Sequence, residues 1–182
     1  MKITGGQWKG RNIKVPRGIR PTTSRSKEVL FALIHDWIPE STVIDLFCGS
    51  GALGIEALSR GADHVFFIDR SHRSTQAVND NIEMMEIFEF CTVIPGDAFT
   101  MIRKLSSHGH QVDLILADPP YGTQLTQKIV RTVSQSGILT PGGKLVLEFR
   151  KGEALADQSN LTLLKSRLIG ETGLAIWEQT EI

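Results

Sequence analysis

The sequence predicts an α/β fold built on a mostly parallel sheet with helices on both faces. Three observations carry that prediction. Short apolar runs alternate with stretches of helical spacing along most of the 182 residues. One such run, Val43-Ile44-Asp45-Leu46-Phe47, leads into the glycine loop Gly49-Ser50-Gly51-Ala52-Leu53-Gly54 and then a helical pattern. The unusual residues (Asp45 to Gly54, Asp69, Asp97 and Asp118 to Tyr121) all fall at the carboxyl ends of expected strands, where open α/β sheets bind ligands.

Each element follows in order. Residues 1–23 carry glycines and prolines, and Ile3, Trp8, Ile13 and Val15 alternate with polar residues as in a short hairpin. Val29, Leu30, Leu33, Ile34 and Trp37 predict a helix over 24–38, stopped by Pro39. Strands are expected at 43–47, 64–69, 91–94, 112–117 and 144–149. Helices are expected at 54–60, 71–85, 99–105 and 125–133. The end of the chain alternates differently. Residues 161–169 and 174–179 read as a hairpin turned at Gly170 to Gly173, placing one antiparallel strand at a sheet edge.

Composition narrows the function classes. A chain of this length buries roughly 70% of its unfolded surface, so it needs neither disulfide nor metal to fold. Two cysteines, Cys48 and Cys91, lack metal or redox spacing and fit a reducing, cytoplasmic setting. No apolar run reaches membrane-spanning length, and the first residues show no secretory leader. Charge is deceptive: 20 basic residues balance 20 acidic ones. Residues 1–27 nevertheless hold Lys2, Lys9, Arg11, Lys14, Arg17, Arg20, Arg25 and Lys27 with no acid, a local charge of +8 against −8 for the remainder. A basic segment on an acidic body is the footprint of a polyanion binder.

The glycine loop lets backbone approach a ligand, and Asp69, 20 residues beyond Gly49, is placed to grip ribose hydroxyls. That pattern fits a nicotinamide dinucleotide as well as S-adenosylmethionine. Two features favour the latter. Asp45 lies just below the loop, where a carboxylate suits an ammonium or sulfonium. The strand at 112–117 runs into Asp118-Pro119-Pro120-Tyr121. Two prolines fix the backbone there, leaving an acceptor-rich corner beside a flat ring. Such a corner suits the exocyclic amine of a nucleobase, whose nitrogen needs positioning more than a strong base.

Asp45-Leu46-Phe47-Cys48-Gly49-Ser50-Gly51-Ala52-Leu53-Gly54 together with Asp118-Pro119-Pro120-Tyr121 resembles the class I, Rossmann-like methyltransferases that modify amino nitrogens. Gly5-Gly6, Gly10-Arg11, Arg20-Pro21-Thr22, Glu28-Val29-Leu30-Phe31 and Gly54-Ile55-Glu56-Ala57-Leu58-Ser59-Arg60-Gly61-Ala62 narrow the resemblance to the RsmD family of 16S ribosomal RNA guanine-N2 methyltransferases. It covers nearly the whole chain. It implies a seven-stranded sheet with a reversed C-terminal hairpin, a basic RNA-binding hairpin at 1–23 and a catalytic domain at 24–182.

The resemblance also implies S-adenosylmethionine bound across Asp45, Phe47, Gly49, Ser50 and Gly51, with ribose on Asp69, Arg70 beside it, and adenine against Asp97 and Ala98. Asp118, Pro119 and Tyr121 would hold a flipped guanine. Arg11, Arg20, Thr22 and Arg25 would contact RNA in the small ribosomal subunit or its assembly intermediate, with the enzyme a monomer. Three positions depart from the usual family residues: Cys48 for Ala, Asp69 for Glu and Ser24 for Asp. Adenine-N6 methylation of DNA or RNA is the alternative, because Asp-Pro-Pro-Tyr also occurs there. An RNA-binding assembly factor without activity is a third reading.

Other candidates are weaker. His108 and His110 lack a third metal ligand nearby in sequence. Trp8 could stack on RNA or anchor the hairpin, and Arg70 and Arg73 also read as a solvated face. Asn79 and Asn81 are assigned structural roles.

Overall fold

The structure is a computed structural model that describes residues 1–16, 18, 24–120 and 125–180, without the side chains of residues 24 and 25. The strands are β1 (Thr42–Leu46), β2 (His64–Asp69), β3 (Cys91–Pro95), β4 (Val112–Ala117), β5 (Leu139–Arg150), β6 (Leu161–Ile169) and β7 (Thr172–Gln179). They form one seven-stranded sheet in the order β3-β2-β1-β4-β5-β7-β6. The first five run parallel, and β7 is antiparallel to both β5 and β6. The reversed strand is therefore one place in from the edge, not at it. β7 has six of its eight residues buried, whereas β6 is largely exposed, so the hydrophobic effect inserts β7 and leaves β6 outside.

The helices are α1 (Ser24–Leu33), α2 (Ala52–Ser59), α3 (His72–Met85), α4 (Ala98–Ser107) and α5 (Leu125–Ser136). Period-two alternation in the strands splits the core. Val43, Val65, Phe67 and Leu114 face a layer made by α1, α2, α3 and the N-terminal segment. Ile44, Phe66, Ile68 and Ile115 face α4 and α5. Two elements differ from expectation. The helix over 24–38 stops at Leu33 and continues as a 3-10 turn, His35–Trp37, which turns Ile38 into the core. The strand expected at 144–149 starts at Leu139, because Pro141-Gly142-Gly143 is absorbed as a register shift against β4 rather than ending the strand.

Residues 1–16 lie on the body. Lys2 bridges Asn12 as in a hairpin, and Ile3 and Ile13 are buried in the core beside α2. Gly6 sits at φ +77° so close to α2 that an added Cβ would come 1.7 Å from the Ser59 carbonyl oxygen. Trp8 is half-buried against the same core, and its backbone N–H donates to Ser59 Oγ at 3.0 Å.

The centre of this attachment is Glu56, fully buried on α2. Its carboxylate pairs with Lys27 Nζ at 2.7 Å and Arg60 Nη2 at 2.8 Å, and accepts from Thr4 N and Thr4 Oγ1 at 2.9 and 2.8 Å. Lys27 is fully buried too. It counts toward the +8 of the sequence but presents no charge to a partner. Burial alone would raise the Glu56 carboxyl; the Lys27 and Thr4 donors outweigh it and hold it below the usual range.

Candidate active site

The carboxyl ends of β1, β2 and β4 meet at one cleft of about 450 Å³. It is lined by Phe47 and Gly49 from the loop after β1, Asp69 and Arg70 after β2, and Asp118, Pro119 and Pro120 after β4. Gly18, Ser71, Arg73 and Ser74 complete the wall. Residues separated by up to a hundred positions thus converge where the topology places a ligand.

The glycine loop is shaped by its conformations. Phe47, Gly49 and Gly51 all have positive φ, at 58°, 54° and 78°. Gly51 is the N-cap of α2 and, having no side chain, leaves the helix's first N–H groups without the usual cap. Asp45, on β1, supplies the missing acceptor: its Oδ2 takes the Gly54 N–H at 2.8 Å. Gly54 has to be glycine, since an added Cβ would sit 2.3 Å from Phe67 Cε1. Asp69 fastens the other side, accepting from Gly49 N at 3.0 Å and Ser71 N at 2.8 Å. The loop that opens the cleft is therefore locked to two strands by two carboxylates.

Burial raises the Asp45 carboxyl well above the usual range; the Gly54 N–H opposes this, and nearby Asp118 and Asp69 add to it. Burial, followed by Asp45 and Asp69, likewise raises the Cys48 thiol, which fits a packing residue rather than a nucleophile. A wall of mutually repelling carboxylates favours a cation in the cleft. Arg70 and Arg73, both exposed, add the other sign to the rim.

The expected residues divide. Phe47, Gly49, Asp69, Arg70, Asp118 and Pro119 line the cleft. Asp45, Ser50, Gly51, Asp97 and Ala98 do not. Asp45 is 1% exposed behind the loop, and Ser50 is buried, its carbonyl accepting from Asn81 Nδ2. Asp97 caps α4, accepting from Thr100 N at 3.0 Å; burial opposes ionisation there, but the Thr100 donors, then Lys128 and Arg103, hold its carboxyl low. Ala98 is buried under the sheet. Tyr121, Arg20 and Thr22 lie outside the described residues, as does the side chain of Arg25. Among the described residues no cluster of metal-ligating side chains occurs.

The N-terminal segment runs antiparallel along α3. Arg11 Nη2 reaches the Met84 carbonyl at 3.5 Å, Lys14 N donates to Asn81 Oδ1 at 2.9 Å, and Gly18 lies against the Arg73 guanidinium. Arg11 is thus about 16 Å from the cleft rim, the rise of the helix from Arg73 to Met84. Pro120 was expected there as part of the corner after β4; Gly18, Ser71, Arg73 and Ser74 were not assigned to the cleft from the sequence. Ser71 alone carried a signal, as a serine standing before a helix.

Comparison with known proteins gives concordant findings. The family described as conserved hypothetical protein 95 matches residues 1–178. A Bacillus subtilis protein, YlbH, whose name marks it as a candidate rRNA methyltransferase, is 32% identical over 98% of this chain and 99% of its own. A Haemophilus influenzae protein named ribosomal RNA small subunit methyltransferase D is 29% identical over 98% of this chain and 93% of its own. A solved Escherichia coli structure, described as a candidate methyltransferase yhhF, superposes with a TM-score of 0.87 at 24% identity over 100% of this chain and 99% of its own.

Proposed function

The chain belongs to the conserved hypothetical protein 95 family, the RsmD family, and on that premise we propose that it methylates the exocyclic N2 amine of a guanine in 16S ribosomal RNA of the small subunit. S-adenosylmethionine is the methyl donor. One observation carries the reading: the glycine loop, Asp69, the Asp118-Pro119-Pro120 corner and Gly18 of the basic segment line a single cleft.

The residues present fit the donor. Gly49 opens the wall without a side chain, and Asp69 and Asp118 set a negative field suited to its cationic groups. Asp69 would face the ribose, with Phe47 and Arg70 beside it. When bound, the donor supplies an electrophilic methyl on a sulfonium.

Asp118 and the Pro119 carbonyl, held by the two prolines, accept the two N–H bonds of the target amine. That favours a pyramidal nitrogen and aims its lone pair. The nitrogen–carbon bond forms as the carbon–sulfur bond breaks, and the electron pair stays on sulfur. The nitrogen sheds its extra proton only after attack, once methylation has made it acidic, so no strong base has to act first. Tyr121 would stack on the flipped base, and Arg11, Arg20, Thr22 and Arg25 would contact the RNA backbone.

Small subunits lacking this methylation, incubated with labelled donor and digested to nucleosides, test the proposal. N2-methylguanosine is the expected product; N6-methyladenosine would overturn it.

A further inference from the structure

The β3 end of the sheet carries a second, differently built surface. β3 is the outermost strand and pairs on one side only, with β2. Its sequence, Cys91-Thr92-Val93-Ile94-Pro95, offers no charge or bulge at the open edge and a proline only at its end, leaving Cys91 to Ile94 open to pairing. Beside it lies a cavity of about 350 Å³, floored by Ile82, Phe88, Cys91 and Val93. Phe88 is 61% exposed, Phe90 45% and Met84 38%, three large apolar side chains within seven residues. Scattered exposed apolar residues are ordinary; a cluster beside an open edge and a groove marks an interaction site.

The chain segment that builds it is acidic, with Arg11 of the N-terminal segment reaching it at the Met84 carbonyl. From Ser74 to Ile102 the chain has Asp80, Glu83, Glu86, Glu89 and Asp97 and no Lys or Arg. Thr75, Asn79 and Ile82 face the groove from α3; Glu83 continues the same stripe, and Glu86 caps the helix beyond it. Glu83, Glu86 and Glu89 are exposed, and among the described residues none is ion-paired. Phosphates are repelled here. The favoured occupant is cationic, with apolar side chains for the groove and backbone groups for the edge.

We propose that β3 accepts an extended protein segment in which Lys or Arg alternate with apolar residues, adding as an eighth strand. Its apolar side chains fill the groove beside Phe88, and its cations meet Glu83, Glu86 and Glu89. The surface is separate from the methyl-transfer cleft, and the proposal stands independently of the RNA chosen there.

The probe is a short labelled peptide alternating lysine with valine and phenylalanine, titrated against the full chain by fluorescence anisotropy. A peptide with serine for lysine and a single-stranded RNA serve as comparisons. Binding of the lysine peptide should weaken about tenfold in Glu83→Lys/Glu89→Lys and in Phe88→Ser. Amide exchange at Thr92 to Ile94 should slow in its presence. Unchanged unfolding temperatures show that these surface variants fold. No peptide binding, undiminished binding to the charge-reversed variant, or RNA slowing exchange at β3 instead would each overturn the proposal.

Discussion

Replacing Glu56 by Gln tests how the N-terminal segment is held. The substitution keeps the side chain's shape and one acceptor oxygen. It removes the charge and turns an amide NH2 toward a shell of donors: Lys27 Nζ, Thr4 N and Oγ1, and Arg60 Nη2. The Arg60 side chain is 23% exposed and can swing to water, whereas Lys27 is fully buried and cannot. Its ammonium would keep the Lys2 carbonyl, at 2.7 Å, and share one neutral amide oxygen with Thr4, losing its counter-charge. Stranding one member of a buried pair costs about 3–5 kcal/mol. For a domain of this size each kcal/mol shifts Tm by about 2–4 °C, so the midpoint should fall by about 6–20 °C. Thermal unfolding by circular dichroism measures it, and trypsin should cut faster at Lys9 and Arg11 as the segment loosens. Adding Lys27→Met to the variant removes the stranded cation and should recover most of the loss. A fall under about 2 °C, or a double variant no more stable than the single one, refutes the reasoning.

Other predictions address the cleft and the acid limit. Asp118→Ala should lower methyl transfer by about 10²–10³-fold, with donor affinity by calorimetry nearly unchanged; near-normal turnover would remove Asp118 from the chemistry. Neutralising Arg11, Arg20 and Arg25 together should weaken substrate binding and reduce the salt slope of log K by roughly 2–3, and an unchanged slope would return those residues to a solvated role. Gly54→Ala, whose Cβ meets Phe67, should destabilise the fold and loosen the loop, read as a lower Tm with weaker donor binding. The low Glu56 carboxyl contributes stability that is complete above the unfolded value of about 4.3 and is lost as pH falls through its lower folded value. Acid titration of stability should therefore be shallower in Glu56→Gln. Asp45 has the opposite sign: its raised carboxyl favours folding at low pH, and that contribution is lost as pH rises through the folded value.

Much of the fold was legible because its signals are local. β2, β4 and β6 match their expected bounds, and Ser71 and Asp97 cap helices as side chains of their type do. The interior of the sheet was less so. Pro141-Gly142-Gly143 has the composition of a turn, yet β4 pairs with Leu139 before it and Lys144 after it, so it stands as an irregularity within one strand. The site was half legible: motif spacing identified Gly49, Asp69 and Asp118. It could not tell that Asp45 turns to the Gly54 N–H or that Arg73 joins the rim, because both depend on what stands opposite in space.

By itself the sequence determined the α/β class, the loop after β1 and the corner after β4, since periodicity, glycine placement and paired prolines act through each residue's own backbone. It also determined that neutrality concealed a basic segment on an acidic body. Only the tertiary structure decided what those charges do. Lys27 turns inward to a buried carboxylate, Arg11 lies a helix-length from the cleft, and the carboxylates of 80–89 gather at an open edge. A charge's effect depends on its distance to partners and its access to water, and a linear count contains neither.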